Sequence, residues 1–190
     1  MLSMYLCGAI RDSAPDDVAW REELIDALEP YIDMGVLGIL NPLGGKQRVN
    51  GVWQIQGQLS DGRHIVSQDY WCVDRSDIIV ANLSALAQGY PNIGSLMELG
   101  RSTNHSQLRY IIIPKSYKGH DNGDMYRLHP FIARSATTIF ESTDECITFL
   151  QQHVPVLAGI NPKFNGVVID AVYKVEPEAA AEPAIVCPSN

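Results

Sequence analysis

The densest run of reactive side chains in this chain is Pro91-Asn92-Ile93-Gly94-Ser95-Leu96-Met97-Glu98-Leu99-Gly100-Arg101. It follows a β-branched run and opens onto helical spacing, a junction at which α/β sheets bind ligands. Gly94 lets a ligand approach the backbone closely, and the free N–H groups of a first helical turn suit an oxyanion or phosphate. Asn92 and Ser95 add hydrogen-bonding side chains at the same mouth. Glu98 falls about one turn into the helix, where its carboxylate can point back toward that mouth. Its neighbours Leu96, Met97 and Leu99 are apolar, and a partly desolvated carboxylate is unusually reactive. The same spacing also describes an exposed glutamate favoured by the helix dipole, because Gly-x-x-x-Glu alone is a weak signal.

A second cluster is Ser67-Gln68-Asp69-Tyr70-Trp71, with Asp74 and Asp77 beyond it. Asp69 sits on a helix just before the predicted central strand, beside two aromatic residues. Asp74 and Asp77 read as surface solvation and helix termination. The third place is Tyr5-Leu6-Cys7-Gly8-Ala9-Ile10-Arg11-Asp12, where Gly8 permits a tight turn after a strand and Arg11 offers a fixed positive fork. No GxGxxG, P-loop or GxSxG motif is present. His64, His105, His120, His129 and His153 show no metal-ligand spacing and read as surface or structural histidines, with His120 and His129 flanking a polar loop. No metal is expected.

These residues need elements to position them. Leu2 to Ala9 reads as a first strand, and 15–32 as an amphipathic helix with Pro15, Asp16 and Asp17 at its start. Val36 to Leu40 is a second strand. The glycine-rich stretch 43–58 reads as a long loop, and 61–76 as a helix. Asp77 to Leu83 (DIIVANL) fits the centre of a parallel sheet. A loop over 84–92 leads to a helix over 93–107, a strand over 109–114, a polar loop over 115–128, a strand over 137–141 and a helix over 143–153. Strands alternating with helices predict an α/β fold: a three-layer, flavodoxin-like or Rossmann-like parallel sheet with helices on both faces. The expected organisation is a catalytic-sized domain over 1–157, an edge strand or oligomer contact over 158–175, and a disordered tail over 176–190, rich in Ala, Glu and Pro.

Composition bounds the partners. The chain has 190 residues, 46% of them hydrophobic and 19% charged, enough for a core in one domain. Its formal charge of −8 repels phosphate backbones, so a nucleic-acid polymer is not an expected partner. Cys7, Cys72, Cys146 and Cys187 form no CxxC pair. No leader and no apolar run of spanning length is evident, so a cytoplasmic protein without a membrane partner is expected.

Three segments together resemble the nucleoside 2-deoxyribosyltransferase family, which includes 2'-deoxynucleoside 5'-monophosphate N-glycosidases. Tyr5 to Arg11 (YLCGAIR) resembles the first strand and turn of the hydrolase branch. Gln68-Asp69 with Ser76 to Ala81 resembles the segment carrying the family's second carboxylate, and Asn92 to Arg101 resembles the nucleophile segment. The match runs in order from about residue 4 to residue 113.

The resemblance implies a two-step displacement on a 2'-deoxynucleoside, without a cofactor. Glu98 would attack C1' opposite the base, forming a deoxyribosyl ester through an oxocarbenium-like transition state. Asp69 would give a proton to the leaving base and take one from the acceptor. A free nucleobase as acceptor makes a transferase, and water makes a hydrolase. Tyr5, Gly8, Ile10, Arg11, Asn92, Gly94 and Ser95 are the implied substrate contacts, with Ser95 and Arg11 facing a phosphate if the substrate is a monophosphate. Asn92 departs from both branches, which commonly carry an acid or a serine there. Asp124, Met125 and 127–132 are candidates for base contacts from a neighbouring subunit. Trp53 and Tyr70 offer faces for stacking on a base, or core packing. The family's sites lie between subunits, which implies a homo-oligomer. A non-catalytic nucleotide-binding module on the same fold is the reading from another class.

Overall fold

The structure is a computed structural model that describes residues 1–11, 14, 16–44, 46–49, 52–55, 62–117 and 128–159, with the backbone alone at 46–49, 52–55, 62 and 63. Its elements are β1 (Leu2–Gly8), α1 (Asp16–Asp33), β2 (Leu37–Leu40), β3 (Lys46–Val49), β4 (Val52–Ile55), α2 (Gly62–Arg75), β5 (Ile78–Asn82), α3 (Ser84–Ala87), α4 (Ile93–Ser102), β6 (Leu108–Ile112), α5 (Pro130–Ser135), β7 (Thr138–Phe140) and α6 (Thr143–Leu157).

Five strands form one sheet in the order β2-β1-β5-β6-β7, every pairing parallel. The central strands are buried on both faces, which is why β1 and β5 read as continuous apolar runs. Alternation along each strand sorts their side chains into two cores. Met4, Leu6, Ile78, Val80, Tyr110 and Ile112 pack against Trp20, Leu24 and Leu28 of α1 and Cys146, Leu150 and Val154 of α6. Tyr5, Cys7, Ile79, Ala81 and Ile111 face the other way, toward Cys72 and Val73 of α2, Leu99 of α4 and Ile132 of α5. This is the expected three-layer α/β architecture. The strand order places β2 and β5 on opposite sides of β1. That makes the carboxyl ends of β1 and β5 the point where the order reverses, and ligands in such sheets bind in that crevice.

Several elements differ from the sequence expectations. The stretch read as a loop over 43–58 contains an antiparallel pair, β3 and β4, with Val49 opposite Val52. Asn50-Gly51 between them is the dipeptide most favoured in two-residue hairpins, and it is the signal that marks the pair. The loop over 84–92 contains the single turn α3. Helix α4 ends at Ser102 rather than 107, where the Ser102 and Thr103 hydroxyls donate to the carbonyls of Leu99 and Gly100. Helix α5 was not expected; Pro130 opens it and the His129 side chain accepts a hydrogen bond from Phe131 N. Helix α6 runs past Pro155 to Leu157. Pro155 has no N–H for the Gln151 carbonyl, and that carbonyl instead accepts from the Tyr31 hydroxyl at 2.7 Å.

The expected edge strand and tail beyond residue 159 lie outside the described residues, as do His120, Asp124, Met125, Arg127 and Cys187. Among the described residues no helix is long and apolar enough to cross a membrane.

Candidate active site

Because odd-numbered residues of β1 face α2 and α4, Tyr5 and Cys7 lie under those helices. Tyr5 is fully buried, and its hydroxyl donates to Glu98 Oε1 at 3.0 Å. The Cys7 thiol, also fully buried, has one proton and two acceptors for it, the Ser95 carbonyl at 3.4 Å and the Glu98 carboxylate. Glu98 projects from the second turn of α4 on the side of the helix that also buries Ser95, Leu99 and Ser102.

Burial raises the Glu98 carboxyl above its ordinary value. The hydrogen bond from Cys7 opposes that rise, the nearby Asp69 carboxylate adds to it, and the Tyr5 hydroxyl and the Arg21 guanidinium oppose it. The same neighbours act on their own protons: burial and the Glu98 charge push the Tyr5 phenol and the Cys7 thiol well up, so both stay protonated as donors.

Asp69 of α2 and Glu98 of α4 line one cleft, together with Gly8, Ile10, Asn92, Gly94 and Ser95. The structure therefore brings together most of the residues singled out in the sequence. Tyr5 sits beneath the cleft through its bond to Glu98. The rest of the wall is Ala9, Pro42, Tyr90 and Ile93, which the sequence reading did not single out. Tyr90, partly exposed, supplies an aromatic face at the mouth.

Asn92 adopts the left-handed conformation, with φ 47° and ψ 40°, and is almost fully buried. Asparagine tolerates this region better than other non-glycine residues. Its amide donates to the Asn82 carbonyl at 3.4 Å, tying the entry of α4 to the end of β5. No side chain caps the first turn of α4.

Arg11 does not line the cleft. Its guanidinium forks onto Asp17, donates to Gln88 Oε1 at 2.6 Å and stacks over Tyr90 at 4.9 Å. Tyr70 also lies off the cleft, with its ring under the Arg101 guanidinium at 4.6 Å. Arg101 makes a two-point pair with Asp74, both contacts at 2.6 Å, and His105 Nε2 lies 3.4 Å from the same carboxylate. Asp74, expected only as a helix-terminating surface acid, thus helps fasten α2 to α4, the two helices that carry Asp69 and Glu98. Asp77 has a structural task at the opposite end of the sheet: its carboxylate accepts from Ser3 N and Ser3 Oγ, both at 2.8 Å. The side chain of Trp53 lies outside the described residues.

Among the described residues no three His, Cys, Asp or Glu side chains gather as metal ligands. What the cleft assembles is a raised carboxylate with two protonated donors beneath it and a second carboxylate across from it. Such a pair can attack an electrophilic carbon and move a proton.

No protein-family model and no curated protein matches this sequence. Solved structures do. A conserved protein from Enterococcus faecalis V583 is 14% identical with a TM-score of 0.58, and a 2-desoxiribosyltransferase from Leishmania mexicana is 16% identical with a TM-score of 0.57. Each comparison covers 80% of this chain and 99% of the other. A CMP N-glycosidase of Clostridium botulinum is 14% identical with a TM-score of 0.44, over 78% of this chain and 98% of the other. The first two likenesses span almost the whole of the other chains, and this chain shares their three-layer α/β fold.

Proposed function

We propose that this protein is a nucleoside 2-deoxyribosyltransferase. Glu98 attacks C1' of a 2'-deoxynucleoside, the base departs with a proton from Asp69, and a deoxyribosyl ester forms on the carboxylate. A second nucleobase then attacks C1' from the face the first one left, gives its proton to Asp69 and releases Glu98. The two displacements retain configuration. The observation that carries the reading is the Glu98 carboxylate itself, raised by burial, held by the Tyr5 hydroxyl at 3.0 Å and sharing its cleft with Asp69. The fold, shared with a 2-desoxiribosyltransferase, agrees with it.

Substrate charge separates this reading from a 5'-monophosphate N-glycosidase using the same carboxylates. Among the described residues no Lys, Arg or His lines the cleft, and Arg11 beside it is already paired with Asp17. That supports an uncharged nucleoside. Ser95 and the first turn of α4 remain the groups that would meet a phosphate.

Residues 1–157 form the catalytic domain in this reading, in a cytoplasmic homo-oligomer. Exposed Ile93, Met97 and Phe131 support association.

The test is intact-mass analysis with a 2'-deoxynucleoside, followed by product analysis with and without a second free base. A deoxyribosyl adduct absent from Glu98→Ala, and a new nucleoside formed only with the second base, are expected. Release of base from 5'-monophosphates alone would replace the transferase by the hydrolase. Substrate binding without any adduct would leave a non-catalytic binding module.

A further inference from the structure

Among the described residues that line the cleft of Asp69 and Glu98, Tyr90 is the one aromatic. Its backbone is fixed by the chain reversal just before it. Gly89, two residues past α3, takes the left-handed conformation at φ 78°, which glycine adopts without strain. Gly89 N donates to the Leu86 carbonyl and Tyr90 N to the Ala85 carbonyl, both at 3.0 Å. This paired closure of a helix end is the Schellman arrangement, and it sets where Tyr90 leaves the turn.

The ring is braced by Arg11. The guanidinium lies over it at 4.9 Å, forks onto Asp17 and donates to Gln88 Oε1 at 2.6 Å. The cation is thus held by α1 and by the residue that caps α3, and it covers one face of the ring. Tyr90 is still 41% exposed, so aromatic surface is left for a second contact.

The direction of the displacement says what that surface meets. Glu98 stands at the inner end of the cleft, bonded to the fully buried Tyr5. In a displacement at C1' the base leaves on the side opposite the nucleophile. A sugar set over Glu98 therefore points its base toward the mouth, where Tyr90 and the exposed Ile93 stand. An aromatic face suits any base, because stacking reads no hydrogen-bonding edge. A transferase needs that tolerance, since two different bases occupy the same place in turn.

We propose that Tyr90, braced by Arg11, is the platform on which the nucleobase stacks at the mouth of the cleft. The placement of the base rests on the reading of Glu98 as nucleophile, but stacking can be measured without turnover. In this arrangement Arg11 serves the base through Tyr90 and is a positioning residue, not a phosphate ligand.

The experiment titrates the whole protein with free adenine and, separately, with free thymine. Tyrosine ring NMR follows the parent, with Tyr90 assigned by loss of its signal in Tyr90→Phe. The Tyr90 ring signal should move upfield as either base binds, because a stacked base shields it. Calorimetry then compares affinities. Tyr90→Leu should weaken both bases by about 5- to 100-fold, the range for one stacked base. Tyr90→Phe keeps the ring and should bind both within about threefold of the parent. Arg11→Met leaves the ring without its brace and should weaken both bases, by less than Tyr90→Leu does. A Tyr90 signal that ignores both bases would overturn the proposal, even where Tyr90→Leu does not fold. So would unchanged affinity in Tyr90→Leu, a loss confined to one base, or no binding of either base to the parent. Unchanged affinity in Arg11→Met would overturn the role of Arg11. Failure of the transferase reading looks different: both bases would stack on Tyr90 while Glu98 formed no deoxyribosyl adduct.

Discussion

The Tyr5 hydroxyl donates to Glu98 Oε1 at 3.0 Å, across 93 residues of sequence. Strand alternation decides that contact. Had β1 shifted by one residue, Tyr5 would face α1 and α6, and Glu98 would lose its buried donor. The bond is also directional in what it favours. A phenol that keeps its proton donates more strongly to an ionised carboxylate than to the acid, so the bond favours the ionised form.

Tyr5→Phe should therefore lower kcat/KM by about 10- to 100-fold, the range of a hydrogen bond to a charged group. The acid limb of the pH–rate profile should move to higher pH, because a group that lowers the Glu98 pKa has been removed. Steady-state kinetics across pH checks both. A loss of rate with an unmoved acid limb would mean that Tyr5 does not act through Glu98 ionisation.

Gly8→Ala should destabilise the fold by about 1–3 kcal/mol, the usual cost of overpacking. The added Cβ would meet Trp20 at 3.0 Å and the Asn82 carbonyl at 3.2 Å, and the carbonyl belongs to a paired central strand that cannot yield freely. Urea denaturation measures the change. A neutral substitution would show that the turn relaxes away from Trp20 and Arg21.

The parallel sheet was legible because β1, β5 and β6 are buried on both faces and carry apolar runs that few other structures require. Glu98 and Asp69 were legible as candidates because each lies on a helix flanking the β5 run. Other features depend on partners distant in sequence. Arg21 reads as one more charge on a solvated helix, although it shares an i, i+3, i+7 stripe with Leu24 and Leu28. Nothing local says that carbonyls of β1 will receive it. Arg11 has the opposite history: a free fork in the sequence, it finds Asp17 six residues on and Gln88 beyond β5. Tyr70 likewise meets Arg101 rather than the cleft, because α2 and α4 pack side by side.

Asp74→Asn tests that packing. The Arg101 pair is partly exposed, and Arg101 with His105 holds the Asp74 carboxyl below its ordinary value. Its loss should leave the melting temperature nearly unchanged, as for most exposed pairs. Turnover should fall by up to about tenfold, because small displacements of Asp69 against Glu98 cost reaction geometry. Measuring kcat and melting temperature together separates the two effects. A large fall in melting temperature with no fall in kcat would show the pair to be structural only.

Glu98→Gln should make the protein more stable at neutral pH. Glu98 is a carboxyl raised in the folded state, so between its unfolded and folded pKa values the native protein binds more protons than the unfolded chain. Stability from this group is then present below the unfolded value and falls as pH rises through the window, the reverse of a salt-bridged carboxylate. Glutamine keeps an oxygen for the Tyr5 hydroxyl and carries no charge to desolvate. Its advantage should be greatest at neutral pH and shrink once the acid is protonated in both states. Thermal unfolding of both proteins from pH 4 to pH 8 measures the difference, with the activity of Glu98→Gln expected to be lost throughout. A variant less stable than the parent at neutral pH would mean that the ionised carboxylate strengthens the fold, and that the site stores no electrostatic cost at Glu98.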